Sequence, residues 1–402
     1  CRCPFRRQRP EKCGDDLFQG LGHWRDMRRF QELARKRRHI MFYSEGGASW
    51  VHLGPLIRQL VAEHDFPLCY LSSEPDDPGL DYVGRHGASF VIGKGAVRNV
   101  LFKSFPAGLL VMTMPDIETF HIKRSVNAVH YVYVHHSLIS THMVYLPQAF
   151  DNFETIFCVG PHHVDEIRAR EQQYGLPAKQ LFEHGYGRLD SILARASAPN
   201  QAEDQTHDRP LRVLLAPSWG PHGLLETQGV VLAGILLRAG LHLTVRPHPQ
   251  TGFLSPRVIS ELRGLYGEHA AFELEQDITS EDSLFASDIM ISDWSGAAME
   301  FAFGLERPVL FINVPRKMRN PDYQALGIEP LEARVRHEIG DVLSVDKLEE
   351  APERIRKLTE NRQEMRARIR ASCRHWVYNL GQSGARGAAE LASIARNIAH
   401  LT

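Results

Sequence analysis

The chain has 402 residues, too long for one ordinary core and suited to two domains of about 150 to 200 residues each. With 43% hydrophobic and 24% charged residues it has an ordinary globular composition, and no run approaches the roughly 18 apolar residues that would cross a bilayer. The net charge of −1 hides an asymmetry: residues up to Arg38 hold twelve Lys and Arg against five acids, so the remainder carries about −8, which argues against a nucleic-acid partner.

In chain order, residues 1–38 read as a basic leader ending in Arg35-Lys36-Arg37-Arg38. Such a cluster can dock on anionic lipid at roughly 1 kcal/mol per cation, and it equally fits a solvated arm. The first residue is Cys1 instead of Met, and a segment ahead of it, whether a signal, an anchor or another domain, is expected. From 39 to 195, continuous apolar runs at 39–44, 67–72, 89–92, 108–113 and 129–134 alternate with helix-like stretches such as 53–63 and 165–174. Unbroken apolar strands, as opposed to alternating ones, belong to a parallel sheet covered on both faces, so this part reads as a Rossmann-like domain. Residues 196–210 have no apolar face and read as a linker. A second βα series fills 211–375, with strands at 211–216, 241–246, 289–292 and 309–313 and helices at 227–239 and 297–303. A charged helical stretch at 348–370 and a C-terminal helix within 376–402 follow. The six cysteines show no CxxC pair, a reducing-compartment pattern; Cys69 and Cys158 sit in apolar runs and read as core.

In parallel α/β sheets ligands bind beyond the carboxyl ends of the strands, so the residues after each run carry the most information. In the second half these are Pro217-Ser218-Trp219-Gly220, Arg246-Pro247-His248-Pro249 and Ser292-Asp293-Trp294-Ser295-Gly296. The last opens a helix, and a helix N-terminus with hydroxyls and glycine is a ready anion site, although Ser and Asp are also ordinary N-caps. Arg246 and His248, between prolines, add charge-assisted donors suited to a diphosphate. Glu300, one turn into the helix, is placed for ribose hydroxyls or for solvent. In the first half the run 129–134 leads into His135-His136-Ser137, and a histidine at a strand end facing a cleft suits a general base.

The order Gly187-Arg188-x-Asp190, Ala216-Pro217-Ser218-Trp219, Arg246-Pro247-His248-Pro249, Ser292-Asp293-Trp294-Ser295, Arg307-Pro308-Val309-Leu310-Phe311 resembles the CDP-glycerol glycerophosphotransferases of teichoic-acid and capsule synthesis. The resemblance spans about Ile40 to Phe311. It implies an α/β protein of the GT-B type, two Rossmann-like domains facing a cleft, with C-terminal helices returning to the first domain. By motif it places the base on His136, with His135, Ser137 and Arg188 as secondary candidates. By motif the donor contacts fall on Arg246, His248, Ser292 and Ser295, and the strand-end reading adds Ser218, Asp293, Gly296 and Glu300. The family's histidine-glycine-threonine-proline run stands here as His136-Ser137-Leu138-Ile139, and its aromatic-Ser-Ser run as Trp294-Ser295-Gly296. The implied reaction moves glycerol phosphate from a nucleotide-activated donor, CDP-glycerol, to a lipid-linked or polymeric acceptor, without cofactor or metal, on the cytoplasmic face of a bacterial membrane. The alternatives are a nucleotide-sugar transferase of the same fold and a nucleotide-sugar epimerase.

Overall fold

The computed structural model describes residues 13–36, 40–118, 122–198, 209–275 and 281–400. Among them thirteen strands form two sheets in which every pairing is parallel. The first sheet takes β1 Ile40–Ser44, β2 Leu68–Ser72, β3 Ala88–Val91, β4 Gly108–Met112, β5 Val129–Val134, β6 Thr155–Cys158 and β7 Gln180–Glu183, in the order β3-β2-β1-β4-β5-β6-β7. The second takes β8 Arg212–Leu215, β9 His242–Val245, β10 Phe272–Leu274, β11 Ile289–Ser292, β12 Val309–Asn313 and β13 Gly340–Ser344, in the order β10-β9-β8-β11-β12-β13.

Helices on both faces bury the central strands completely: all five residues of β1, β2 and β4 are out of water. One face is covered by the helix Gly47–Glu63, whose Leu53, Leu56, Ile57 and Leu60 recur at helical spacing and pack on Ile40, Phe42 and Val111. Each such buried side chain contributes about 1.5–3 kcal/mol. The same cluster takes Ala388, Leu391 and Ala392 from the last helix, Ser383–His400, so the chain end returns to the first domain as expected. Asp190 fixes that return, because its carboxylate accepts the N–H of Gly381 (2.7 Å), the N–H of Ser383 (2.8 Å) and the Ser383 hydroxyl (2.5 Å). The Gly187-Arg188-x-Asp190 motif is therefore in part a chain-end anchor.

The leader differs from its reading as an arm. Residues Cys13–Lys36 form a helix, and its Met27 and Phe30 enter the first-domain core beside Phe90 and Phe105. The apolar stripe of Met27, Phe30 and Leu33, three residues apart, is interleaved with arginines, which is why charge dominated the sequence pattern. Residues 1–12, 37–38 and most of the expected linker, 199–208, lie outside the described residues. No helix among the described residues is long and apolar enough to cross a membrane.

In both sheets the order reverses between the first strand and the fourth, which opens a crevice beyond their carboxyl ends. These crevices lie between β1 and β4 in the first domain and between β8 and β11 in the second.

Candidate active site

The second-domain crevice is built by a buried carboxylate. Asp293 accepts the N–H groups of Ser218 (2.6 Å) and Trp294 (2.6 Å) on Oδ1 and that of Leu224 (3.1 Å) on Oδ2, tying the loop after β8 to the loop after β11. Ser292, fully buried, donates its hydroxyl to the carbonyl of Ala216 at 2.8 Å. Both residues thus hold the crevice in shape. Ser295 caps the helix Gly296–Leu305 by accepting the Ala297 N–H at 3.3 Å, which leaves Ser295 and Gly296 half-exposed at its first turn. Behind them, the Arg336 guanidinium lies 3.4 Å from the centre of the Trp294 ring and donates to the Asp293 carbonyl at 2.8 Å. Burial lowers its pKa only to about 10, so it stays charged.

The two residues after β9 part company. Arg246 turns toward Glu275 (3.6 Å) and the Ser283 hydroxyl (3.4 Å). His248 accepts the Gln250 N–H on Nδ1 at 3.1 Å, capping the helix Pro249–Leu254. Burial and the charge of Lys317 push its pKa down to about 4. His248 is therefore a neutral ring with its proton on Nε2, a donor without the charge expected from its sequence context. A cation at this mouth that carries no sequence motif is Lys317: its ammonium stands 3.9 Å over the Trp219 ring, itself 5.9 Å from the His248 ring. Burial lowers Lys317 to about 8, with Asp293 and Glu226 opposing.

In the first domain His136 follows β5. Its Nδ1 lies 3.0 Å from the Tyr133 hydroxyl and its Nε2 3.5 Å from that of Tyr145. Burial lowers its pKa below the ordinary histidine value, so the ring is neutral at pH 7 and able to take a proton. His135 turns into the core, against Phe150 and His163. It is 2% exposed, its ring centre is 3.8 Å from that of His163, and neither nitrogen has a partner among the described residues. Burial holds it well below the usual range, and it is a core residue.

The two crevices meet. A Cβ on Gly296 would stand 2.8 Å from the Ser137 hydroxyl, so the strand end carrying His136 abuts the helix end carrying Ser295. Glu300 spans the same junction: one oxygen accepts from Tyr186 (2.7 Å) and the other from Arg188 (2.6 Å). Tyr186 also lies 3.1 Å from the His136 carbonyl. A second set of bonds locks the loop after Ser137 to the second domain. Glu332 accepts from the Ser140 N–H (2.9 Å) and hydroxyl (2.8 Å), and Asn320 donates to the His142 carbonyl (2.8 Å).

Solved structures that share this architecture include a polymerase, an epimerase and a glycosyltransferase. The wall teichoic acid polymerase TagF, solved with CDPG, is 12% identical, with 95% of this chain and 99% of TagF covered and a TM-score of 0.58. The fold is GT-B. UDP-GlcNAc 2-epimerase of Methanocaldococcus jannaschii matches at 11% identity, 89% and 99% coverage and a TM-score of 0.53. A glycosyltransferase of Rickettsia africae matches at 11%, 91% and 100%, and 0.53. No family model and no curated protein sequence matches the chain. At these identities the likeness carries the GT-B fold, and the chemistry rests on the residues of the cleft.

Proposed function

We propose that the chain is a transferase that moves glycerol phosphate from CDP-glycerol to an acceptor hydroxyl and releases CMP. The observation that carries this reading is the junction of Ser137 with Gly296, which brings a neutral histidine up to the first turn of a helix, an end suited to an anion. The donor diphosphate occupies the second-domain crevice, met by the Nε2–H of His248, the Lys317 ammonium, and the Ser295 and Gly296 end of the helix. Ser218 and Arg246 flank it. With Nδ1–H directed to the Tyr133 oxygen, His136 presents the Nε2 lone pair. The acceptor oxygen gives its proton to Nε2 and forms a bond to the glycerol-bearing phosphorus, while the bond from that phosphorus to CMP breaks. Lys317 and the helix end offset the charge gathering on CMP. The acceptor class is a lipid-linked or polymeric polyol at an anionic membrane surface, and the step needs no metal.

The test is a donor panel: CDP and CDP-glycerol raise the melting temperature while UDP does not, and CMP appears only when donor and acceptor are both present. Equal stabilisation by UDP, or no CMP from CDP-glycerol, overturns the reading. A second reading, a nucleotide-sugar epimerase, draws on the carboxylates of Glu45 and Asp116, whose pKa values burial raises at the same cleft edge. It predicts turnover of UDP-GlcNAc with no acceptor added.

A further inference from the structure

The chain leaves the sheet after β5, so the backbone from Leu138 to Thr141 has no ladder partners and its polar groups must be met by other elements. The helix Pro161–Tyr174 meets four of them. His162 Nε2 lies 2.9 Å from the Leu138 carbonyl, and His163 Nε2 lies 2.9 Å from that of Ile139. One turn further along the same helix, Glu166 accepts the Thr141 N–H at 2.5 Å and the Thr141 hydroxyl at 2.6 Å. All three side chains are buried. A carbonyl can only accept, so both imidazoles carry a proton on Nε2; His163 is fixed a second time, because its Nδ1 accepts the Val159 N–H at 3.3 Å. Burial holds both rings below the ordinary histidine range, in keeping with neutral donors. Ser140, inside the gripped stretch, is held from the other side by Glu332 of the second domain.

We propose that His162 and His163 are positioning residues for the transfer step: through the Leu138 and Ile139 carbonyls they fix the loop after β5 and so hold His136 and Ser137 against the donor helix at Gly296. The proposal rests on the transferase reading only for its activity readout. Leu138 follows Ser137 directly, so a displaced loop displaces the base, and a misplacement of about 1 Å costs up to roughly a hundredfold in rate. A role in packing alone has a built-in control. His135 belongs to the same stack of rings, with ring centres 3.8 Å apart for His135 and His163 and 4.1 Å for His163 and His162, yet neither of its nitrogens has a partner among the described residues.

The test uses the whole chain and two readouts, steady-state kinetics with CDP-glycerol and deuterium exchange of the backbone amides of residues 138–143. His163→Asn keeps an acceptor for the Val159 N–H but is too short to reach Ile139, whereas His163→Gln extends an N–H toward that carbonyl. His163→Asn and His162→Asn each lower kcat by roughly tenfold or more, leave KM for CDP-glycerol and CDP affinity unchanged, and quicken exchange in the loop. His163→Gln returns both readouts to within about threefold of wild type. His135→Ala melts lower with kcat and loop exchange unchanged. If an Asn variant does not fold, Thr141→Val, which trades one hydroxyl for a methyl and removes a bond to Glu166, shows the same two effects at roughly threefold. Asn variants with either kcat or loop exchange at the wild-type value, or a His135→Ala that loses as much kcat as His163→Asn, overturn the proposal. If wild type yields no CMP from CDP-glycerol, the transferase reading fails by itself: faster loop exchange in the Asn variants and not in His135→Ala still upholds the two histidines as the loop's anchors, and unchanged exchange overturns them.

Discussion

Two adjacent histidines just past the end of β5 have opposite fates. His136 is half-buried, with the Tyr133 hydroxyl 3.0 Å from Nδ1 and the Tyr145 hydroxyl no nearer than 3.5 Å to Nε2; His135 is packed between Phe150 and His163. His136→Ala lowers transfer by roughly 10²- to 10⁴-fold, the usual share of a general base, with CDP affinity unchanged. Tyr133→Phe leaves the base in place and removes only the group that orients it, about 1 kcal/mol, so kcat falls by roughly five- to tenfold. Because burial lowers the His136 pKa, the acid limb of the kcat/KM profile lies below 6.5. An acid limb above the ordinary histidine range, or full activity in His136→Ala, removes His136 from the role. His135→Ala acts through packing: it opens a cavity, lowers the melting temperature and leaves the activity of the folded fraction in place.

At the scale of elements, the positions after strands hold the chemistry, and much of this is visible in the sequence. The apolar runs that became β1, β4, β5, β8, β11 and β12 are continuous because both faces are covered, and the polar residues after them stood out for that reason. Three edge strands were hidden. β7, β10 and β13 mix Gln, Glu and Asp with their apolar residues because one side of each lacks a neighbouring strand. What could not be read was the partner of each polar side chain. Ser292 and Asp293 fit a phosphate site by type, but three-dimensional neighbours take up their atoms. Lys317, four residues past β12, obeys the same strand-end rule but carries no motif. The loop after β12 therefore supplies a cation to the site, and Lys317→Met weakens CDP binding by roughly 10- to 100-fold, the loss of one charge-assisted contact. Arg246→Ala, whose guanidinium is turned to Glu275 and Ser283, has the smaller effect. Isothermal titration that ranks the two in the reverse order returns the diphosphate to Arg246.

The whole molecule is two domains interlocked on the side of His136. Leu138, Met143, Tyr186, Leu189 and Ile192 of the first domain lie in the same apolar cluster as Trp294, Ala298 and Phe301 of the second. Within this contact His142 faces two acceptors, the Glu166 carboxylate at 3.3 Å from Nδ1 and the Ile328 carbonyl at 3.0 Å from Nε2. A neutral ring with its proton on Nε2 serves the Ile328 carbonyl, while Nδ1, which makes no hydrogen bond among the described residues, gains Glu166 as an ionic partner once it is protonated. Burial works against the charge, but Glu166 and the Ile328 carbonyl outweigh it and leave the His142 pKa raised. A pKa raised on folding stabilises the protein fully below the unfolded value of about 6.5, and that contribution is lost as pH climbs through the folded value. The melting temperature of wild type therefore exceeds that of His142→Gln by most near pH 6, and the gap narrows toward pH 9. Taking the difference between variants removes the carboxylates that both share, including buried Glu332, whose own pKa burial raises. A gap that is constant from pH 6 to 9 means that the ring is neutral and that the domains are joined there by packing and backbone bonds alone.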